Sequence, residues 1–399
     1  MIEDLEDARA SGYRVNFLLQ DDSIQLKIVG WTDKFLKAMN GCIDSLKEIS
    51  LSEKEFAQLR RSVKRKIKSD IKSMALTQAK LHLQKAMISD FMLPEDFLEP
   101  LEKITHKDIL DVHKKLFNIS DAKMLFLGNA MTPTASSISE NFIKGLKFIP
   151  NKESQKNQKV DKQLIKLSSD NSLVYKIMNQ NPDDYNNAIV NYYQLGNLTP
   201  LDELLLKIIT SSISKSAYGY LRTQYQLGYI VLAQDAKLKG IDGLVIGVQG
   251  SSRDPLEMNG IIESFLEYYR DYLDSKNEDI FVIMRSKILQ SLYSKSSKLD
   301  HKLDDMWKEL EMGETSAELI DKYLPVVSLI DKRRVLQFYD KYFKKSKKKL
   351  SIQVYSAKTT TIINDDVLPT DKTYGLKPEQ ILYSLSQLQE YERYQESEQ

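Results

Sequence analysis

Two stretches of this sequence follow the same plan, and that duplication constrains the fold more than any other feature. From Leu5 the chain runs to Ser11-Gly12-Tyr13-Arg14-Val15; from Leu221 it runs to Leu227-Gly228-Tyr229-Ile230-Val231. Each Gly-Tyr pair leads into two strand-like runs. These are Val15 to Leu19 and Ile24 to Val29 in the first copy, and Ile230 to Ala233 and Leu244 to Val248 in the second. Each copy then opens a helix around Met-Asn-Gly, at Met39-Asn40-Gly41 and Met258-Asn259-Gly260. Helical patterns follow over Ser52 to Ile67 and Glu278 to Leu289, then short helices from Lys107-Asp108-Ile109-Leu110 and Leu329-Ile330-Asp331-Lys332. Each copy closes on a strand, Lys123 to Leu127 and Leu350 to Tyr355. One order of elements met twice predicts an α+β protein of two homologous domains, each an antiparallel or mixed sheet packed on helices.

The copies are unequal. Ahead of Leu221 lie two further strand-like runs, Ser172 to Ile177 and Ala188 to Tyr193, and a helix over Leu201 to Ile213. Ahead of Leu5 stand four residues. The first domain is therefore expected to lack its opening strands and to carry an exposed sheet edge, as in a truncated chain or a fragment. Residues 1–150 are assigned to the first repeat, 151–163 to a polar linker around Asn151 to Lys159, and 164–399 to the second repeat. In the tail, Ile381, Leu382, Leu385 and Leu388 fall at helical spacing and predict a terminal helix.

Composition removes whole classes of function. A formal net charge of +1 gives no global field toward nucleic acid or an anionic membrane. The single cysteine, Cys42, excludes a disulfide framework and a multi-cysteine metal site. No run approaches the ~18 apolar residues of a membrane span, and the acidic start Met1 to Asp7 is unlike a secretory or transit peptide. A cytoplasmic protein is expected.

The chemistry-bearing residues are few. His82, His106, His113 and His301 are the histidines, and neither H-E-x-x-H nor H-x-x-E-H occurs. His301-Lys302-Leu303-Asp304-Asp305 comes nearest, but Leu299, Leu303, Met306 and Leu310 mark it as the solvated face of a packed helix. Cys42, among Met39, Ile43 and Leu46, reads as a small core residue. The basic run Arg60-Arg61, Lys64-Arg65-Lys66, Lys68 and Lys72 shares a helix with Phe56, Leu59, Val63, Ile67 and Ile71, which predicts a buried stripe under a charged face. A nucleic-acid interface there would show steep salt dependence. Arg222 and Tyr229 remain. A structural reading has Arg222 paired to an acid and Tyr229 packed in a sheet. The repeat bears on this: Gly228-Tyr229 is matched by Gly12-Tyr13, whereas Arg222 is matched by Glu6. The turn and ring can serve the fold; the arginine is particular to the second copy.

The string Leu221-Arg222-Thr223 through Gln226-Leu227-Gly228-Tyr229-Ile230-Val231 resembles a segment of the insulinase family, comprising insulin-degrading and pitrilysin-like zinc endopeptidases. Gly240-Ile241, Gly243-Leu244, Gln249, Lys298-Leu299 and Trp307 with Glu309-Leu310 extend the likeness, strongest from about Leu164 to Tyr355. The resemblance implies the third and fourth of four homologous domains, which form the C-terminal half of a closed peptide chamber. It implies that zinc sits in an N-terminal half not present here, with no metal bound by this chain. Arg222 and Tyr229 then match positions that touch substrate near the scissile bond. Implied partners are that catalytic half and a peptide substrate, with homo-oligomerisation left open. The competing reading is a catalytically dead homologue that serves as an assembly subunit.

Overall fold

The computed structural model describes residues 10, 12–19, 23–31, 35–47, 51–116, 122–129, 131–145, 164–169, 172–293, 298–312, 315–345, 347–356, 379–382 and 393. Strands Arg14–Leu19 (β1) and Ile24–Val29 (β2) precede helices Phe35–Lys47 (α1), Glu53–Ile71 (α2), Ala75–Met87 (α3), Leu98–Lys103 (α4), His106–Leu116 (α5) and Thr132–Gly145 (α6). Then come Ser172–Met178 (β3), Asn187–Gly196 (β4), helix Pro200–Ala217 (α7), Ile230–Leu238 (β5) and Ile241–Gly250 (β6). Helices Pro255–Asp274 (α8), Glu278–Tyr293 (α9), Leu299–Met312 (α10), Ser316–Val327 (α11) and Lys332–Tyr339 (α12) follow, and Lys349–Tyr355 (β7) and Glu379–Leu382 (β8) complete the order. The mixture of helices and two sheets is α+β. Glu6, the linker 151–163, and Leu385 and Leu388 lie outside the described residues.

The chain divides into two compact units that cut across its repeats. One holds Met1–Lys64, Glu99–Val160 and Lys295–Thr315; the other holds Arg65–Leu98, Asp161–Ser294 and Ser316–Gln399. In the first unit β1 and β2 pair antiparallel, Arg14 opposite Val29 and Leu19 opposite Ile24. Met39 and Ile43 of α1 meet Ile138 of α6 in a small core, with Phe35, Phe126 and Phe142 at its margin. Helix α10 is tied to this hairpin by ion pairs Arg14–Asp300 and Lys27–Asp304. Residues 123–127 form no strand, contrary to the repeat-based expectation. The second repeat explains why. Its equivalent, β7, bonds to β4 and β3 and not to β5 or β6, and the described residues ahead of β1 hold no counterpart of β3 or β4. Among the described residues the segment thus has no ladder partners with which to form strand hydrogen bonds.

In the second unit six strands run in the order β5-β6-β4-β7-β3-β8. β5, β6, β4 and β7 pair antiparallel in turn, while β3 lies parallel to both β7 and β8. Glu379–Leu382 is therefore an edge strand and not the start of the helix its spacing suggests. Every residue of β4 is buried, because both faces of the sheet are covered. Ile189 and Tyr193 face a core with Leu205 and Ile209 of α7, Phe265 of α8 and Phe338 of α12. Ala188, Val190 and Tyr192 face the other way, against Leu76, Ala79 and Leu83 of α3. That helix belongs to the first repeat by sequence. Strong helix formers build it, and Ala75, Ala79 and Ala86 are small enough to let it lie close on the strands.

A buried polar network pins α8 to the sheet. Tyr193 donates to Glu263 Oε1 at 2.8 Å, Lys349 Nζ lies 3.2 Å from the same oxygen, and Lys347 pairs with Oε2. Lys349 also donates to Asn259 Oδ1 at 2.8 Å, which accepts from Asn191 Nδ2 at 2.9 Å. Burial would raise the Glu263 pKa. Attraction to Lys349 and Lys347, with the hydrogen bonds from Lys347 and Tyr193, overcomes burial and holds it down to about 2.

Candidate functional site

Helix α7 starts cleanly. Thr199 caps it by accepting from Asp202 N, and Pro200 occupies the first turn. Its end is unusual: the helix widens into a π-helical turn over Tyr218–Gln224, a distortion often found at functional sites. Tyr220 and Leu221 stay buried and anchor the turn, while Arg222 is exposed. Tyr225 N–H donates to Tyr220 O and Leu227 N–H to Leu221 O, both at 3.0 Å. Gln226 takes a left-handed φ of 52° to turn the chain. Ser252 Oγ donates to Gln226 O at 3.0 Å and reaches Leu227 O at 3.3 Å. The turn then crosses the end of β6 backbone against backbone. A Cβ on Gly228 would stand 2.0 Å from Gln249 O, and one on Gly250 would stand 2.4 Å from Leu227 O. Glycine is required at both positions by this close approach.

Arg222 places its guanidinium 4.8 Å from the centre of the Tyr218 ring. Among the described residues no carboxylate pairs with it. Stacking on a ring one helical turn away orients the planar fork and leaves its edges free for an acceptor. Tyr229 is 53% exposed, and its oxygen accepts from Gln249 Nε2 at 2.6 Å. The first repeat supplies an internal comparison. Tyr13 is 5% exposed, donates to Trp31 O at 2.6 Å, and lies on Gly30, where a Cβ would sit 2.0 Å from the ring. Gly250, in the matching register, instead receives the backbone of Leu227 and Gly228. The same Gly-Tyr pair thus buries its ring in one copy and presents it to solvent in the other.

The remaining candidates take structural places. His106 Nε2 meets Leu51 O at 2.6 Å and His113 Nε2 meets Leu46 O at 2.8 Å. His82 packs at a tilt against Tyr175, ring centres 5.9 Å apart. Burial is the main cause of its pKa falling to about 4. Cys42 is fully buried, and burial pushes its thiol pKa up. The described residues contain no group of three or more His, Cys, Asp or Glu placed to hold a metal. On α2, Lys64 pairs with Glu102 and Lys66 with Asp70. The stripe predicted there to be buried is not: Leu59 is 55% and Val63 45% exposed, and no residue of α2 is fully buried. Its period makes the helix amphipathic, but Phe56, Ile67 and Ile71 are only half-buried, and Leu59 and Val63 stay exposed.

Comparison with known proteins decides the relationship. A family profile described as PQQ synthase PqqF-like, C-terminal lobe domain 4, matches residues 208–307, which include Arg222 and Tyr229. The chain is 21% identical over 376 residues to the insulin-degrading enzyme of Drosophila melanogaster, covering 93% of itself and 38% of that protein. Its fold superposes on pitrilysin with a TM-score of 0.80 at 15% identity, over 99% of this chain and 40% of the other. The chain is similar to the C-terminal half of insulinase-family proteins. The chain spans about two-fifths of the length of both those relatives. It also resembles the peptidase M16 inactive domain from Pseudomonas fluorescens, with a TM-score of 0.65 and 10% identity, over 88% of this chain and 83% of that one. No helix among the described residues is long and apolar enough to cross a membrane.

Two residues of this turn carry sequence signals beyond Arg222 and Tyr229. Tyr218 stands four residues before Arg222, a helical spacing that signals a ring under a cation. Gln249 was noted only for its resemblance. Its signal is a long polar side chain closing the apolar strand Leu244 to Val248, opposite Ile230 in the ladder.

Proposed function

We propose that this chain is the non-catalytic C-terminal half of an insulinase-type zinc endopeptidase. It closes the peptide chamber and offers Arg222 and Tyr229 to the backbone of a bound peptide. The observation that carries this reading is the contrast between buried Tyr13 and exposed Tyr229 on equivalent turns, with an arginine on the preceding π-helical turn that stacks on Tyr218 and meets no carboxylate among the described residues. A guanidinium and a phenol preplaced at a carbonyl stabilise negative charge as it develops there, and removal of one such donor typically costs about 10²–10³ in rate. Neither group generates a nucleophile. Zinc and the groups that activate water are assigned to the N-terminal half, and peptide hydrolysis requires both halves.

The test mixes this chain with a separately produced N-terminal half of an insulinase. Peptide cleavage should depend on both components and on zinc. Zinc-independent cleavage by this chain alone would refute the assignment. A second reading, an inactive homologue acting as an assembly subunit, draws on the likeness to the P. fluorescens inactive domain. It predicts a stable complex whose activity is indifferent to Arg222→Ala.

A further inference from the structure

Gln249 is completely buried, yet both ends of its amide are engaged. Its Oε1 accepts from the backbone N–H of Leu76 at 2.8 Å, and its Nε2 donates to the Tyr229 oxygen at 2.6 Å. The first of these bonds fixes the second. Leu76 lies in the opening turn of α3, whose N-cap residue Met74 provides no side-chain cap. A backbone amide can only donate, and at a helix start it has no partner within its own helix. An amide turned the other way would set two donors face to face and leave Leu76 N–H unsatisfied in a buried site. Gln249 must therefore present oxygen to Leu76 and nitrogen to Tyr229.

The consequence passes to the phenol. Its oxygen already accepts a hydrogen bond, so its own hydrogen is directed elsewhere, and the residue is 53% exposed. We infer that Gln249 is a positioning residue that commits the Tyr229 hydroxyl to donate outward, so that the site selects a hydrogen-bond acceptor such as a peptide carbonyl oxygen. Successive donor–acceptor links also polarise one another, which makes the phenol a better donor than a free one. The part concerning a peptide rests on the proposed function; the direction of the hydrogen bond does not.

Two measurements on the full chain separate these parts. In protein labelled with ¹⁵N-glutamine, Tyr229→Phe should move the Gln249 side-chain amide proton upfield, because its acceptor is gone. The Leu76 amide should remain as protected from exchange as before. An unmoved Gln249 amide would show that Tyr229 was never accepting and would overturn the inference. The second arm follows binding of a fluorescein-labelled, unstructured peptide to Tyr229→Phe, Gln249→Glu and the double variant. A carboxylate still accepts from Leu76 but forces Tyr229 to donate inward. Each single change should weaken binding by about tenfold, and the double change by about tenfold rather than hundredfold. Additive losses would mean that Gln249 acts independently of Tyr229, and the relay would be wrong. If the amide proton shifts while Tyr229→Phe leaves peptide affinity unchanged, the relay stands and the proposed contact with peptide falls.

Discussion

At Arg222 charge and geometry can be separated. Arg222→Ala removes both, and in the assembled two-half enzyme should lower turnover by about 10²–10³. Its melting temperature should stay within a degree or so, since an exposed side chain without an ion pair among the described residues holds nothing together. Arg222→Lys keeps the charge but gives up the planar fork and the stack on Tyr218, and should recover a minority of the lost rate. Steady-state kinetics beside thermal unfolding measures both. Equal losses of stability and rate would mean that the residue serves the fold. Gly228→Ala is the opposite experiment. The new methyl meets backbone at Gln249 O and Gly250 Cα, neither of which can swing aside, so urea unfolding should show a loss of about 1–3 kcal/mol. The arginine, the phenol and the need for glycine were all visible in the sequence through the repeat. The exposure of Tyr229 was not, because Tyr13 shares its local sequence and is buried; the difference lies in what crosses the matched glycine.

Among elements, periodicity told which segments are helices and strands but not what covers them. Helix α2 shows the distinction. Leu59→Ser on its exposed stripe should alter stability by less than about 0.5 kcal/mol, whereas Leu205→Ala on the buried face of α7 should cost about 2–5 kcal/mol. Comparable losses at the two sites, read from denaturant midpoints, would mean that α2 is covered in solution. The two misread strands fail for a related reason. Residues 123–127 have strand composition but no ladder partner among the described residues, and Glu379–Leu382 opens a stretch with helical spacing but finds an edge of β3 to join. Partner availability is a long-range property, and local pattern does not contain it. In the second repeat β4 and β6 are legible because they are largely apolar and Gly196, Gly240 and Gly250 mark their ends.

Over the whole molecule the buried titratable groups predict a two-step response to acid. His82 has an ordinary value of 6.5 and a folded value of about 4, so the unfolded chain takes up its proton first. Stability is fully present above pH 6.5 and falls by about 3 kcal/mol as pH drops toward 4. Glu263 moves from 4.5 to about 2, so its contribution is present above pH 4.5 and is lost, again about 3 kcal/mol, as pH falls toward 2. Chemical denaturation at a series of pH values should show both limbs. His82→Phe should flatten the first and leave the second; a single limb beginning below pH 4 would refute the assignment to His82. The placement of α3 has a last implication for taking the protein apart. A polypeptide started at Leu164 would carry the complete second repeat and still expose the oily underside of its sheet, with Val190, Tyr192, Ile352 and Val354 bare to water. Such a piece should clump and bind hydrophobic dyes, and supplying Met74 to Ile88 as a synthetic peptide should restore it to a soluble monomer.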